Sequence, residues 1–357
     1  MNTVEQTVDA RLLVILQQGL PIDARPFARI GEGLGLSQEA VLARVRSLFE
    51  SGVARRFGAV FESRNLGYLS TLCAVDVPAG DLEAAAARIA PHPGITHCYE
   101  REGHPNLWFT MTALEDSLKR ELDWVSTALG NYEVLNLPAL LKFKIEAVFG
   151  REGQGTGRTH PRPLQGGERD ASQAQGRDPL LGGVGVGSVS PLSERDRKVV
   201  RRLQASIAVS EDPFGVLAGD LGMDPAELLA LLKRWEAEGI IRRIGLVLRH
   251  RQLGFSANSM CVWSAEAGRI KEAGASLARS QHVTHCYERP FTAAFPYNLY
   301  AMIHAKSRAE AIGIFEQLGR DAGLSGGRMM WSVREFKKSS PVFFCEPPPV
   351  PGKSGPG

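Results

Sequence analysis

The sequence predicts an α+β protein built twice: two copies of a helix-turn-helix domain followed by a ferredoxin-like βαββαβ domain, folding together as a pseudo-dimer. Three observations carry this. The segment 52–67 aligns with 239–254 at eight identities in sixteen positions. Ile95-Thr-His-Cys-Tyr-Glu-Arg101 recurs as Val283-Thr-His-Cys-Tyr-Glu-Arg289, and the offset between copies drifts only from 187 to 188 residues. That spacing is far beyond a solenoid period, so whole domains are duplicated. Finally, residues 151–190 hold ten glycines in forty positions and almost nothing that could anchor a core. Such a run is improbable inside a compact domain and ordinary as a tether between two folded units.

Each copy opens with three short helical patterns, at 9–18, 26–34 and 37–50 in the first and at 193–205, 213–220 and 224–238 in the second. The last begins Asp224-Pro225-Ala226-Glu227, an N-cap, a proline at the first helical position and a capping-box acid. Helix, helix, short turn, helix is a helix-turn-helix layout. Strand patterns follow at 55–61 and 68–77, then a helix at 82–90, strands at 95–101 and 106–112, and a helix at 115–129. A final strand falls at 133–137 or at 142–145, the pattern leaving both open. The second copy repeats the order with strands at 256–264, 283–289, 297–304 and 329–337. The domains therefore read as 1–53 helix-turn-helix, 54–150 ferredoxin-like, 151–190 linker, 191–240 helix-turn-helix, 241–340 ferredoxin-like and 341–357 a Pro/Gly-rich tail.

Apolar residues at 43% and charged residues at 23% exclude a disordered or fibrous chain. The net charge of +3 is too small to argue for nucleic acid as a default partner, although 1–150 is net acidic and 191–357 net basic. Five scattered cysteines without a CxxC suit a reduced compartment. No basic leader and no run of about 20 apolar residues is present, so a cytoplasmic protein with no membrane partner is expected.

In a strand, alternate residues share a face. His97, Tyr99 and Arg101 then lie on one face with Thr96, Cys98 and Glu100 on the other, and His285, Tyr287 and Arg289 repeat the row. The row offers a group titrating near neutral pH, an aromatic platform and a fork for carboxylates. A polar dimer interface would explain one such triplet; its retention in both copies points to function. Anion-binding candidates around it are Arg55 and Arg56, with Arg242 and Arg243 at the equivalent place. Adjacent strand residues point to opposite faces, so one of each pair should reach a shared site. The second copy's longer loop, 290–298, carries Phe291, Phe295 and Tyr297, which can wall a flat ligand or pack the hairpin. No zinc-type spacing, CxxCH, Rossmann glycine pattern or phosphate loop occurs, so no metal site is expected from protein side chains alone. His92, His160, His250, His282 and His304 lack a repeated context and read as surface or packing histidines.

A recognition helix presents its first residues to base edges. In the second copy these include Asp224 and Glu227; in the first, Ser37, Gln38, Arg44 and Arg46 suit DNA better but sit in the acidic half. DNA is therefore the weaker reading.

The helix-turn-helix plus βαββαβ order resembles the Lrp/AsnC regulators. More specific blocks resemble the siroheme decarboxylase family: Arg242-Arg-Ile-Gly with His250-Arg-Gln-Leu-Gly, His285-Cys-Tyr-Glu-Arg-Pro290 with Tyr297-Asn298-Leu299, and Arg334-Glu-Phe-Lys-Lys338. The first copy resembles the partner subunit through His97-Cys-Tyr-Glu-Arg-Glu-Gly-His-Pro105 and Asn106-Leu-Trp-Phe-Thr110. Two subunits fused through a Gly-rich linker resemble the NirD–NirL type, and the similarity spans nearly everything outside linker and tail. The resemblance implies loss of CO2 from two acetate side chains of siroheme to give 12,18-didecarboxysiroheme, in the biosynthesis of heme d1 or an alternative heme. It implies no cofactor beyond the iron the substrate carries, and siroheme with its decarboxylated products as partners. It leaves further homo-oligomerisation open. Decarboxylation needs an electron sink and a proton source. The pyrrole can be the first, and His285 and His97 are the expected general acids. Arg289, Arg101 and one member of each Arg-Arg pair would clamp carboxylates, with Tyr287, Tyr99, Tyr297 and Asn298 at the ring edge. His285 or His97 could instead be an axial ligand to the siroheme iron. The basic second copy is the favoured site for a polyanion. The alternative is an Lrp/AsnC-type DNA-binding regulator that senses a tetrapyrrole.

Overall fold

A computed structural model describes residues 3–145, 192–248 and 257–349 of the 357-residue chain. The proposed linker at 151–190 lies outside the described residues, as do His160 and His250. The first helix-turn-helix is α1 (Thr3–Gln18), α2 (Pro26–Leu34) and α3 (Gln38–Glu50). Pro26 starts α2, Gly35 at φ +69° ends it, and the Ser37 hydroxyl accepts from the Ala40 N–H to start α3. Further along the chain come β1 (Ala54–Phe61), β2 (Tyr68–Val75), α4 (Leu82–Ile89), β3 (Ile95–Arg101), β4 (Leu107–Leu114), α5 (Leu118–Ala128), β5 (Leu135–Pro138) and β6 (Leu141–Ile145). The second copy begins with α6 (Glu194–Gln204), α7 (Pro213–Leu221) and α8 (Pro225–Ala237). The same stop-and-start recurs there. Gly222 at φ +63° ends α7, and Asp224 accepts from the N–H groups of Ala226 and Glu227.

The remaining elements are β7 (Ile241–Leu248), β8 (Ala257–Trp263), α9 (Ile270–Arg279), β9 (Val283–Glu288), β10 (Leu299–Ala305), α10 (Arg308–Asp321) and β11 (Arg328–Lys338). β1 and β7 pair antiparallel with each other, joining the two helix-turn-helix units through a ribbon. Gly58 and Gly245 face each other at its centre. A Cβ on Gly58 would meet the Ala205 carbonyl oxygen at 2.5 Å, and one on Gly245 the Leu16 carbonyl oxygen at 2.5 Å. Only glycine lets the end of each copy's first helix settle onto the ribbon there.

All other strands form one nine-stranded sheet, in the order β5-β2-β4-β3-β11-β8-β10-β9-β6. The copies exchange their last strands. β11 pairs with β8 of its own copy through Arg328–Trp331, then with β3 of the first copy from Ser332 to Lys338. In the first copy the same path is split: β5 pairs with its own β2, and β6 crosses to β9. Both candidate positions for the final strand are thus strands, each in a different copy's half of the sheet.

Each copy has its own core under its helices, such as Cys73, Val75, Cys98 and Phe109 in the first and Cys261, Trp263, Cys286 and Leu299 in the second. On the opposite face a mixed core joins Ala74, Trp108 and Leu137 to Met260, Val262, Phe295, Tyr300 and Met330. Phe295 is 1% exposed, with its ring 5.3 Å from that of Trp108. The longer loop therefore plugs the seam between copies, while Phe291 stays 57% exposed.

The described part of the tail is packed. Phe343 is buried against Phe61 and Tyr68, and its N–H and C=O bond the Gln204 amide at 2.8 and 3.0 Å. Pro348 accepts from the Trp124 indole at 3.0 Å. Among the described residues no helix is long and apolar enough to cross a membrane. Replacing Phe343 by Ala should cost about 3 kcal/mol, as for a buried aromatic, and equilibrium urea unfolding checks it. A loss under about 1 kcal/mol would show the tail to be an appendage.

Candidate active site

Both His–Tyr–Arg rows are present, and they lie on the face of the sheet that carries the mixed core. Tyr99 pairs across β4 with Trp108, and Tyr287 across β10 with Tyr300. Cys98 and Cys286 point the other way, into the cores beneath the helices. The two rows nearly superimpose in geometry. Ring centroids are 6.2 Å apart for His97 and Tyr99 and 6.3 Å for His285 and Tyr287, with interplanar angles of 26° and 28°. Arg101 lies over the Tyr99 ring at 5.5 Å and Arg289 over Tyr287 at 4.9 Å.

Strict alternation fails at one position. The pairing of β3 with β4 skips from Ile95 to His97, and that of β9 with β10 from Val283 to His285. Thr96 and Thr284 are therefore β-bulge residues, not members of the Cys98 and Cys286 face. Each threonine turns its Oγ1 to Nδ1 of the next histidine at 2.9 Å. The bulge orients both imidazoles.

The exchanged strands supply the surroundings. Lys338 stands opposite His97 and Glu335 opposite Tyr99, whereas Ile145 stands opposite His285 and Lys142 opposite Tyr287. Arg101, 7% exposed, donates to the Met330 carbonyl at 3.3 Å and the Ser332 hydroxyl at 3.1 Å; Arg289 donates to the Leu137 carbonyl. Both guanidiniums thus bond a strand of the other copy, β11 for Arg101 and β5 for Arg289, while each Nε is buried with no partner among the described residues. Burial pushes Arg101 down to about 10. It also lowers His97, helped by Lys338 and His285 and opposed by Glu335, and it lowers His285. Tyr287 feels Arg289 and, from the first copy, Arg64.

Other expected site residues are elsewhere or engaged. Arg55, Arg56, Arg242 and Arg243 sit on the β1–β7 ribbon, which pairs separately from the sheet that carries the rows. Arg56 donates to the Gln204 carbonyl at 3.0 Å, at the end of α6, and Arg243 to the Gln17 carbonyl at 2.5 Å, at the end of α1. Each satisfies a helix C-terminus of the other copy, where a cation is favoured. Arg242 pairs with Glu62, and Arg55 is exposed. The Asn298 carboxamide is spent on the backbone of Ala265, at 2.8 Å both ways, and Asn106 does the same at Val77. Tyr297 packs on Phe295, centroids 4.9 Å apart. No cluster of three or more His, Cys, Asp or Glu able to hold a metal occurs among the described residues.

One further residue joins the second row. The sequence reads His304 as a surface or packing histidine, yet its Nε2 lies 2.8 Å from Thr284 Oγ1 and its Nδ1 2.6 Å from Asn258 Oδ1. The helix-turn-helix surfaces, by contrast, are poorly disposed for DNA. Gln38 is 6% exposed and accepts from Arg25, Arg44 is bonded to Asp9, and Arg46 reaches the Val209 carbonyl. Glu227, in the first turn of α8, is locked to Arg195 by two hydrogen bonds.

Residues 9–55 and 196–242 match the family described as the siroheme decarboxylase NirDL-like HTH domain, and 65–144 and 252–337 match the AsnC-like ligand binding domain. A siroheme decarboxylase of Hydrogenobacter thermophilus is 31% identical over 342 residues, covering 94% of this chain and 95% of that one. A siroheme decarboxylase NirDL subunit of Paracoccus pantotrophus is 33% identical over 341 residues, covering 94% and 97%. The crystal structure of a siroheme decarboxylase NirDL in complex with an iron-uroporphyrin III analogue superimposes with a TM-score of 0.72 at 28% identity, covering 95% of each chain.

Burial lowers four imidazoles, those of His92, His97, His285 and His304. Acid therefore protonates the unfolded chain first, and native stability present above the ordinary histidine pKa of about 6.5 is lost as pH falls below it. The urea midpoint should drop between pH 7.5 and 5.5 at fixed ionic strength; a flat or rising midpoint would contradict this.

Proposed function

The chain belongs to the siroheme decarboxylase family, and from that premise we propose that it removes CO2 from the acetate side chains of siroheme at the paired His–Tyr–Arg rows, with the second copy's row doing the chemistry. The product is then 12,18-didecarboxysiroheme, on a route to heme d1. The observation that carries the reading is the pair of matched rows, each histidine held by a bulge threonine at 2.9 Å and stacked on the tyrosine of its own row.

The chemistry follows from the residues. Breaking the bond to the carboxylate leaves an electron pair on the side-chain methylene, which the conjugated pyrrole accepts without an added cofactor. A proton delivered to that carbon completes the methyl group. An imidazolium is a suitable donor, but burial leaves His285 mostly neutral at pH 7. The carboxylates of the bound substrate reverse this, because negative charge nearby favours the protonated ring. The substrate thus loads its own acid. Arg101 and Arg289 each retain an unpartnered Nε–H for an anion. The second row is the more cationic, with Arg289, Arg64 and Lys142 around Tyr287; in the first row Glu335 offsets Arg101 and Lys338, and burial together with Glu335 raises Tyr99. A polyanion is drawn to the second row.

Purified chain incubated anaerobically with siroheme should yield species lighter by one and then two CO2 by mass spectrometry. Persistently unchanged siroheme would overturn the activity. His285→Ala should slow turnover by about 100-fold or more, the usual contribution of a positioned acid. His97→Ala should cost less, and exposed His104→Ala nothing. Equal rates for His285→Ala and His104→Ala would remove the histidine from the chemistry.

A further inference from the structure

We infer that His304 is a positioning residue: through Thr284 it fixes the tautomer of His285 so that Nδ1 carries the proton and Nε2 presents a bare lone pair to the site. The inference draws on the proposed decarboxylation only for its kinetic consequence. Four side chains form one hydrogen-bonded line. Asn258 Oδ1 lies 2.6 Å from His304 Nδ1, His304 Nε2 lies 2.8 Å from Thr284 Oγ1, and Thr284 Oγ1 lies 2.9 Å from His285 Nδ1.

Proton counting gives this line a direction. An amide oxygen only accepts, so His304 carries its proton on Nδ1, and in the neutral ring Nε2 is then an acceptor. A threonine hydroxyl has one proton. Thr284 gives it to His304 Nε2, which leaves an oxygen lone pair facing His285, and His285 therefore donates from Nδ1. Protonating His285 at Nε2 disturbs none of these bonds. The ring can take up and release its proton at the outward nitrogen without rearranging its support, as a general acid requires. The charged groups sensed at His304 are His285 and Lys338, and at His97 they are Lys338, Glu335 and His285.

The first copy lacks this direction. The place of His304, two residues beyond the cross-strand partner of the row histidine, is held by Thr112, and that of Asn258 by Ser70. Thr112 and Ser70 pair hydroxyl to hydroxyl at 2.8 Å, and either can donate. Thr96 can donate to His97 or accept from it. His97 is oriented but its tautomer is not fixed, so the duplication gave the two histidines different chemistry.

The test uses the full chain labelled with 15N-histidine. Two-bond proton–nitrogen NMR correlations at pH 8, assigned with His285→Gln and His304→Gln, report each neutral tautomer. His285 should be the Nδ1–H form in the wild type. The double variant His304→Thr with Asn258→Ser installs the pair that the first copy already accommodates. In it, His285 should shift toward the Nε2–H form and kcat for siroheme should fall roughly 10- to 100-fold, the usual cost of losing an outer partner, with KM little changed. An Nε2–H tautomer of His285 in the wild type, or a signature unmoved by the double variant, would overturn the lock. A lost lock with unchanged kcat would overturn its role in turnover. A wild type that locks His285 yet leaves siroheme intact would overturn the decarboxylase reading while leaving the lock standing.

Discussion

The reciprocal exchange of the final strands is the constraint on which the remaining structure depends. Without it, each copy would be a four-stranded sheet with an open edge along its His–Tyr–Arg strand, and an open edge is a liability. β11 closes the first copy's edge at β3, and β6 closes the second copy's at β9. The exchange also decides what faces each row. Lys338 and Glu335 come to the first row from the second copy, and Lys142 and Ile145 come to the second row from the first. The Met330 carbonyl that holds Arg101 belongs to the exchanged strand β11, and the Leu137 carbonyl that holds Arg289 belongs to β5, just before the exchanged β6. Neither row has its chemistry without the other copy.

Duplication then permits asymmetry within one scaffold. The bulge threonine, at 2.9 Å in both copies, and the stacked ring, at 6.2 and 6.3 Å, nearly coincide, and a guanidinium overlies each tyrosine, at 5.5 and 4.9 Å. What differs lies one step outward. Glu335 against Lys142 sets the local field, and Thr112 against His304 sets the direction of the hydrogen bonds. A substrate with several carboxylates and two reacting side chains meets two faces of similar shape and unequal charge.

Much of this was legible in the sequence because it is local or repeated. The six-in-seven match around His97 and His285 exposed the duplication, and period two put the histidine, tyrosine and arginine on one face. The bulges at Thr96 and Thr284 were not legible, since an extra residue in a strand leaves little trace in hydrophobic alternation. The partners of the Arg-Arg pairs were not legible for a different reason. Their repetition was real, but Arg56 and Arg243 serve helix ends that come from the other copy, 148 and 226 residues away. His304 escaped because repetition itself was the filter. It has no counterpart in the first copy, and its partners stand 20 and 46 residues distant.

Interlocked strands, rather than the segment 151–190, hold the two copies and their rows together. A protease site inserted within residues 151–190 and cut in the purified protein tests it most directly, by native size-exclusion chromatography before and after cleavage. The two pieces should co-elute at the position of the uncut chain and separate only in denaturant. Pieces that part under native conditions would contradict it.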